Sequence, residues 1–179
     1  MADTELIQLA RDVDARCRLR GEFVLRSGQV AHEYFDKYLL EADPRLLHRI
    51  ATQMARLLPA DTQLLGGLEL GGVPLATALS QLTGLPALFV RKQPKTYGTR
   101  KLAEGDDPAG QRVTLVEDVI TAGGTVVTAA VALRALGATV TAVVCAIDRS
   151  PPGETALAAA GLSVLPVLTK AQLDAAAAA

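Results

Sequence analysis

Tryptophan is absent from this chain and other aromatics are scarce, with three Tyr and three Phe among 179 residues. The interior must therefore be aliphatic, and so few rings argue against a stacking platform for single-stranded bases. An excess of positive charge is missing too. The net charge is −1, from 18 Lys and Arg against 19 Asp and Glu, so no global basic field points to nucleic acid. No uninterrupted apolar run reaches the roughly 18 residues that a membrane span needs. The N-terminal MADTELIQLARDVDAR carries charges throughout and has no apolar signal core. Two cysteines, Cys17 and Cys145, stand far apart without metal-ligand spacing. They are expected to be reduced thiols of a cytoplasmic protein. His32 and His48 complete no zinc pattern, and no Ser-His-Asp or Cys-His arrangement is evident.

What is present is concentrated in VTLVEDVITAGGTVVTAAVALRAL, residues 113–136. A β-branched run from Val113 to Val116 predicts a strand, and the apolar spacing from Val126 to Leu136 predicts a helix. Between them lie the acids Glu117 and Asp118, then Thr121-Ala122-Gly123-Gly124-Thr125. A small-residue loop at a helix N-terminus gathers backbone N–H groups and holds phosphate. The acids suit sugar hydroxyls and a hydrated divalent cation. Neither G-x-x-x-x-G-K-[ST] nor G-x-G-x-x-G occurs here. The bland alternative is an ordinary strand-to-helix turn with a solvated acidic tip. Strand, acid pair, hydroxyl-and-glycine loop and helix together are more specific than that.

Along the chain, helical spacing predicts a helix over 3–18, followed by a hairpin with strands near 22–25 and 33–37. Asp43-Pro44 places a cap and a first-turn proline before a helix that runs to about Leu58. Strands and helices then alternate. Strands are expected at 63–68, 87–90, 112–116, 139–147 and 163–168, with helices at 74–82, 126–136, 154–160 and 170–176. The alanines at 175–179 are expected to be a frayed tail, and 94–110 a long polar connection. This alternation predicts a parallel sheet covered by helices, with ligands beyond the carboxyl ends of its strands.

Four loops fall at that edge. Glu69–Val73 contains Gly71 and Gly72, which permit close backbone approach to a second anion or simply fit the turn. Arg91–Lys101 carries five basic residues and no acid. Arg91, Lys92 and Lys95 suit polyphosphate, and the segment is long enough for a lid. Arg149 ends a strand where it can clamp a carboxylate or join a surface ion pair. From the hairpin, Arg26 can meet an anion or solvent, and Tyr34-Phe35 a planar ring or the core.

With these stations in view, the chain resembles the orotate phosphoribosyltransferase family, a branch of the type I phosphoribosyltransferases. The likeness is carried by Leu25-Arg26-Ser27-Gly28, Tyr34-Phe35, Arg91-Lys92-x-x-Lys95, Val116–Thr125 and Asp148-Arg149. It implies an α/β fold of the type I phosphoribosyltransferase kind: a mostly parallel central sheet flanked by helices, with an N-terminal helix and hairpin forming a small hood. A single domain is expected over 1–179, with hood elements in 1–42 and the α/β core in 43–170. The implied reaction joins orotate to 5-phosphoribosyl 1-diphosphate (PRPP), with Mg²⁺, in pyrimidine synthesis. The resemblance puts the donor on Arg26, Gly71, Gly72, Arg91, Lys92, Lys95, Tyr97, Glu117, Asp118, Val119, Ile120, Thr121, Ala122, Gly123, Gly124 and Thr125. The 5′-phosphate would lie on 121–125 and the ribose hydroxyls near Glu117 and Asp118. It puts orotate on Tyr34, Phe35, Thr121 and Arg149, and catalysis on Lys95, Asp118 and Lys101. Mg²⁺ would be held mainly through the diphosphate and ribose hydroxyls, with Asp118 acting through water. A homodimer with a shared active site is implied, and neither nucleic acid nor membrane is an expected partner. Three positions depart from the family pattern: Arg26 and Gly71 where Lys is common, and Tyr97 where His is common. The central motif does not distinguish orotate from a purine acceptor; the hairpin and Arg149 do. A non-catalytic sensor of the sugar diphosphate is the alternative of another class.

Overall fold

The computed structural model describes residues 2–24, 28–93, 95, 101–151 and 156–178. The chain opens with α1 (Ala2–Cys17), which leads directly into β1 (Arg18–Val24) and β2 (Val30–Phe35). These two pair antiparallel as a separate two-stranded sheet, with an irregularity between Arg20 and Phe23. A short helix that the apolar spacing does not announce follows, α2 (Tyr38–Ala42). In α3 (Pro44–Leu57) the expected cap is present: the Asp43 carboxylate accepts from the backbone N–H groups of Arg45 at 2.9 Å and Leu46 at 3.2 Å. These bonds satisfy two amides that the first helical turn leaves without partners.

From there β3 (Leu64–Leu68), α4 (Gly72–Thr83), β4 (Ala87–Val90), β5 (Ala103–Gly105), β6 (Arg112–Ile120), α5 (Gly124–Ala135), β7 (Thr139–Asp148), α6 (Ala156–Ala159), β8 (Ser163–Thr169) and α7 (Lys170–Ala177) follow in order. Six strands form one sheet in the order β5-β4-β3-β6-β7-β8, and all neighbours are parallel except β4 and β5. The β5 strand lies within the expected polar connection. It returns beside β4 and closes the base of the basic segment, where Arg91 N–H donates to Leu102 O at 2.9 Å.

The central strands are buried on both faces, as parallel sheets require. Along β7, Val143 and Cys145 belong to the cluster under α5, while Val144 and Ala146 belong to the cluster under α1, α3 and α4. This period-two split makes a three-layer sandwich. Glycines bring α4 against the sheet. A Cβ at Gly67 would lie 2.8 Å from both Ala76 Cβ and Gly72 O, and one at Gly72 would lie 2.2 Å from Val116 O. The start of α4 therefore rests directly on the backbones of β3 and β6.

The tail differs from expectation. Thr169 and Gln172 form a reciprocal capping box, and Leu173 is buried. The alanines at 175–177 are thus helical in α7, which packs on α1. Both thiols are fully buried. Burial pushes the Cys17 thiol up to about 12 and raises that of Cys145 as well.

Candidate active site

The strand order reverses direction between β3 and β6. After β3 the chain builds outward through β4; β6 then returns to the other side of β3 and the sheet grows through β7 and β8. Ligands bind at such a switch point because the two adjoining loops diverge and leave a crevice. Here the loops are 69–71 and 121–123. Gly123 has φ 72°, a left-handed conformation that turns the chain sharply into α5, and its α-carbon faces Leu157 too closely for a side chain. The first amides of this 12-residue helix have no carbonyl a turn below to bond. A cavity of about 370 Å³ opens there, walled by residues 121–126 with Glu117, Val119, Glu69, Leu70, Lys92, Lys37 and Tyr38.

The acid pair is expected just beyond a strand ending at Val116, but the strand runs on through it to Ile120. Because β6 stays paired with β7 as far as Ile120 and Asp148, Glu117 and Asp118 lie inside the strand. They are only 8% and 2% exposed. Glu41 of α2 is partly buried beside them, and the Lys37 ammonium lies 2.6 Å from Asp118 Oδ2. Val119 N–H donates to Asp118 Oδ1 at 2.6 Å. Burial pushes the Glu117 carboxyl up to about 9, and the hydrogen bond and charge of Asp118 act in the same direction. Burial and then Asp118 push Glu41 up to about 8. For Asp118 burial is outweighed by the hydrogen bonds from Glu117 and Lys37, and its carboxyl is held below the ordinary range. Burial opposes the Lys37 charge, yet Asp118 raises its pKa on balance. The cluster is thus an ion pair, Lys37⁺ with Asp118⁻, flanked by two carboxyls that retain protons near neutrality. Glu117 Oε2 and Glu41 Oε1 are buried and, among the described residues, accept no hydrogen bond.

Gly71 and Gly72 form the second loop. A Cβ on Gly71 would come within 1.8 Å of Asp118 Oδ2 and 2.6 Å of Glu41 Oε1. The Glu69 carboxylate accepts from Lys92 N–H at 3.0 Å and joins this loop to the basic segment. The Glu69–Leu70 peptide is cis. A second cavity of about 510 Å³ continues from the first past Arg91, Lys92, Gly124 and Thr125 to the apolar flank of α5.

Over 168 residues the chain is 70% identical to the orotate phosphoribosyltransferase of Nocardioides sp., an alignment that covers 94% of each protein. The chain belongs to the orotate phosphoribosyltransferase family. The family model described as a phosphoribosyl transferase domain matches residues 41–156. Among solved structures, the Mycobacterium tuberculosis H37Rv orotate phosphoribosyltransferase in complex with inorganic phosphate superposes with a TM-score of 0.82 at 32% identity, covering 96% of this chain and 99% of that one. The same enzyme in complex with PRPP gives 0.81 at 32% identity, covering 95% and 99%. The fold is that of the type I phosphoribosyltransferases.

Within this orotate phosphoribosyltransferase fold the expected residues do not all meet at one place. Val119, Thr121, Ala122, Gly123, Gly124, Thr125, Glu117 and Lys92 meet at the 370 Å³ cavity. Asp118, Gly71 and Gly72 lie behind its wall, in contact with one another or with β6. Ile120 is 1% exposed, and its side chain belongs to the core under α5. Only its backbone is offered, and that carbonyl accepts from Arg149 N–H at 2.8 Å. The guanidinium of Arg149 lies over the Phe35 ring at 5.5 Å, so the hairpin does reach the carboxyl end of β7. Phe35 also packs on the core, whereas Tyr34 is exposed and stacks on Phe23 at 5.5 Å. Lys95 and Arg91 are both engaged by Glu104 of β5, Arg91 at 3.5 Å and Lys95 more closely. Lys101 is exposed, and its carbonyl accepts from Lys95 N–H at 3.3 Å. Neither Lys95 nor Lys101 lines the 370 Å³ cavity. Arg26 and Tyr97 lie outside the described residues.

Lys37, Glu41 and Glu104 escape a sequence reading. Lys37 and Glu41 flank and occupy a five-residue helix too short to show periodicity, and Glu104 sits among polar residues that look like a connection. Among the described residues no group of three or more His, Cys, Asp and Glu is arranged to hold a metal ion. The acid pair fits a hydrated divalent cation approached through water, with ligand oxygens completing its shell.

Proposed function

We propose that this chain transfers the 5-phosphoribosyl group of PRPP to orotate, giving orotidine 5′-monophosphate and diphosphate in de novo UMP synthesis. It is then a pentosyltransferase acting as one phosphoribosyltransferase domain. The observation that carries this reading is the cavity at the switch point. One wall is a helix N-terminus with free amides, and the opposing chemistry is a buried acid pair. Free amides suit the 5′-phosphate. A carboxylate and a protonated carboxyl suit the ribose hydroxyls, which both donate and accept.

In the reaction, the acceptor's ring nitrogen forms a bond to the anomeric carbon as the bond to the diphosphate oxygen breaks, and the electron pair leaves with the diphosphate. Lys92, Arg91 and Lys95 stabilise charge that grows on the leaving group, an effect larger in the transition state than in the ground state. For Arg91 and Lys95 to do so they must exchange Glu104 for the ligand. Mg²⁺ is the proposed cofactor, held by the diphosphate and ribose oxygens, with Asp118 and Glu117 acting through water. When bound it supplies positive charge against the leaving group. Arg149, backed by Phe35, suits the carboxylate of orotate, and Thr121 the ring edge. A cytoplasmic homodimer in which part of 91–101 serves the neighbouring site completes the proposal.

The test is absorbance-monitored consumption of orotate with PRPP and Mg²⁺, run beside adenine, guanine, hypoxanthine and xanthine. Metal-dependent loss of orotate alone, abolished in Arg149→Ala, supports the reading. Turnover of a purine with orotate ignored overturns it. Binding of PRPP without turnover of any base indicates a sensor instead.

A further inference from the structure

The diphosphate side of the cavity poses an electrostatic problem. Glu69 and the protonated Glu117 line the cavity, and the Asp118 carboxylate lies immediately behind. An anionic leaving group must settle among them, and the loop 69–72 offers no side-chain cation. At 72 any Cβ collides with the backbone of β6, and at 71 one would lie 1.8 Å from Asp118 Oδ2, so a side chain there would have to displace the Asp118 and Glu41 carboxyls. Among the described residues the basic side chains in the wall are Lys92 and Lys37. Lys92 comes from the basic segment. Lys37 comes from the hood, at the junction of β2 and α2.

We propose that Lys37 is a direct ligand of the donor's diphosphate, delivering from the hood the cation that the glycine loop does not carry. This rests on the functional reading above and adds a residue to it. Three features of the geometry support it. The Lys37 ammonium is bonded at 2.6 Å to Asp118 Oδ2, the same oxygen that fills the space in front of Gly71. It therefore stands where the glycine loop and the acid pair meet. Its backbone is held on both sides: Asp36 N–H donates to Cys17 O at 2.8 Å, and Tyr38 N–H donates to Asp36 Oδ1 at 3.1 Å. The side chain nevertheless remains 35% exposed, with the ammonium 5.3 Å from the Tyr38 ring centroid. A buried structural lysine would be sealed; this one faces the cavity. Without ligand it neutralises Asp118. With ligand, a diphosphate oxygen becomes its second partner, since an ammonium has three donors and only one is used by Asp118. A lysine suits this better than a fixed fork, because its flexible stem can turn between the two anions.

The test compares Lys37→Met, which keeps the length and apolar stem, and Lys37→Arg with the parent. KM for PRPP, KM for orotate and kcat are measured, and pyrophosphate and ribose 5-phosphate binding are followed by calorimetry. Loss of one charge-assisted hydrogen bond predicts KM for PRPP and Kd for pyrophosphate raised about tenfold or more in Lys37→Met. KM for orotate and Kd for ribose 5-phosphate should stay within about twofold, and Lys37→Arg should recover most of the pyrophosphate affinity. Two results overturn the proposal: pyrophosphate affinity unchanged in Lys37→Met, or ribose 5-phosphate weakened as much as pyrophosphate. The second would mean that Lys37 acts only by orienting Asp118. Unfolding temperature distinguishes either from misfolding, and Lys37→Gln serves if the methionine variant does not fold. A parent protein that ignores PRPP and orotate altogether sinks the functional reading; an active parent with an unaffected variant sinks only the role of Lys37.

Discussion

Replacing Gly72 by Ala adds a single methyl group and should be among the most damaging small changes available to this chain. The new Cβ would lie 2.2 Å from Val116 O, against an ordinary separation of roughly 3.4 Å or more, so about 1 Å of movement is needed. Val116 cannot give way cheaply. It sits mid-strand in β6, paired with Gly67 of β3 on one side and Val144 of β7 on the other. The start of α4 must move instead, and with it the loop 69–72. Overpacking of this kind costs about 3 kcal/mol, at the upper end of the usual range because backbone rather than a side chain must yield. For a chain of this size that lowers Tm by about 6 to 12 °C. Scanning calorimetry measures this directly, and pyrophosphate titration should show weakened binding in whatever fraction remains folded. A Gly72→Ala protein that melts within about 1 °C of the parent would refute the argument that α4 is seated by backbone contact.

Gly124→Ala provides the contrast, since a Cβ there meets nothing within 4 Å. Tm should hold or rise slightly while KM for PRPP increases, because the methyl occupies the mouth of the proposed phosphate loop; unchanged KM would remove Gly124 from the site. Glu41→Gln tests the charge state of the acid cluster. The folded pKa of Glu41 is about 8 against an ordinary 4.5. The folded chain therefore keeps a proton that the unfolded chain releases, and stability falls as pH rises between those values. Glutamine does not titrate, so urea denaturation should find the variant gaining about 1–2 kcal/mol on the parent between pH 5 and pH 8, a figure discounted for partial exposure. A difference that does not vary with pH would mean that Glu41 is ionised in the folded state. Asp43→Ala removes two capping bonds from α3 and should cost about 1 kcal/mol in the same denaturation assay, with KM unaffected.

The regular core was legible because its signals are local. Asp43-Pro44 and the β-branched runs of β6 and β7 each declare a boundary or a buried strand in a few residues. The loop at the switch point was legible for the same reason, since Thr121–Thr125 is contiguous. What the sequence concealed depends on contacts across the fold. Nothing in Glu117-Asp118 reveals that β7 continues far enough to bury both acids. Nothing in Gly71 announces that Asp118 and Glu41 occupy the space where its side chain would be. Lys37 and Glu41 look like surface charges in a polar stretch until the hood brings them onto β6. The short edge strand β5 reads as a connection because three residues are too few for a pattern, yet its Glu104 decides where Arg91 and Lys95 rest. Ile120 shows the reverse: strand alternation sends its side chain into the core, so any ligand contact there is left to its backbone.

The two thiols have a practical consequence. Cys17 and Cys145 are sealed in separate layers of the sandwich and hold their protons far above neutral pH, so neither presents the thiolate on which alkylation depends. The native protein should therefore be silent towards maleimides. A cysteine introduced at an exposed position such as Gln93, within the basic segment, would be the one reactive thiol without any need to remove the native pair. A fluorophore placed there would turn movement of that segment during turnover into an optical signal, recorded on a chain whose core is untouched.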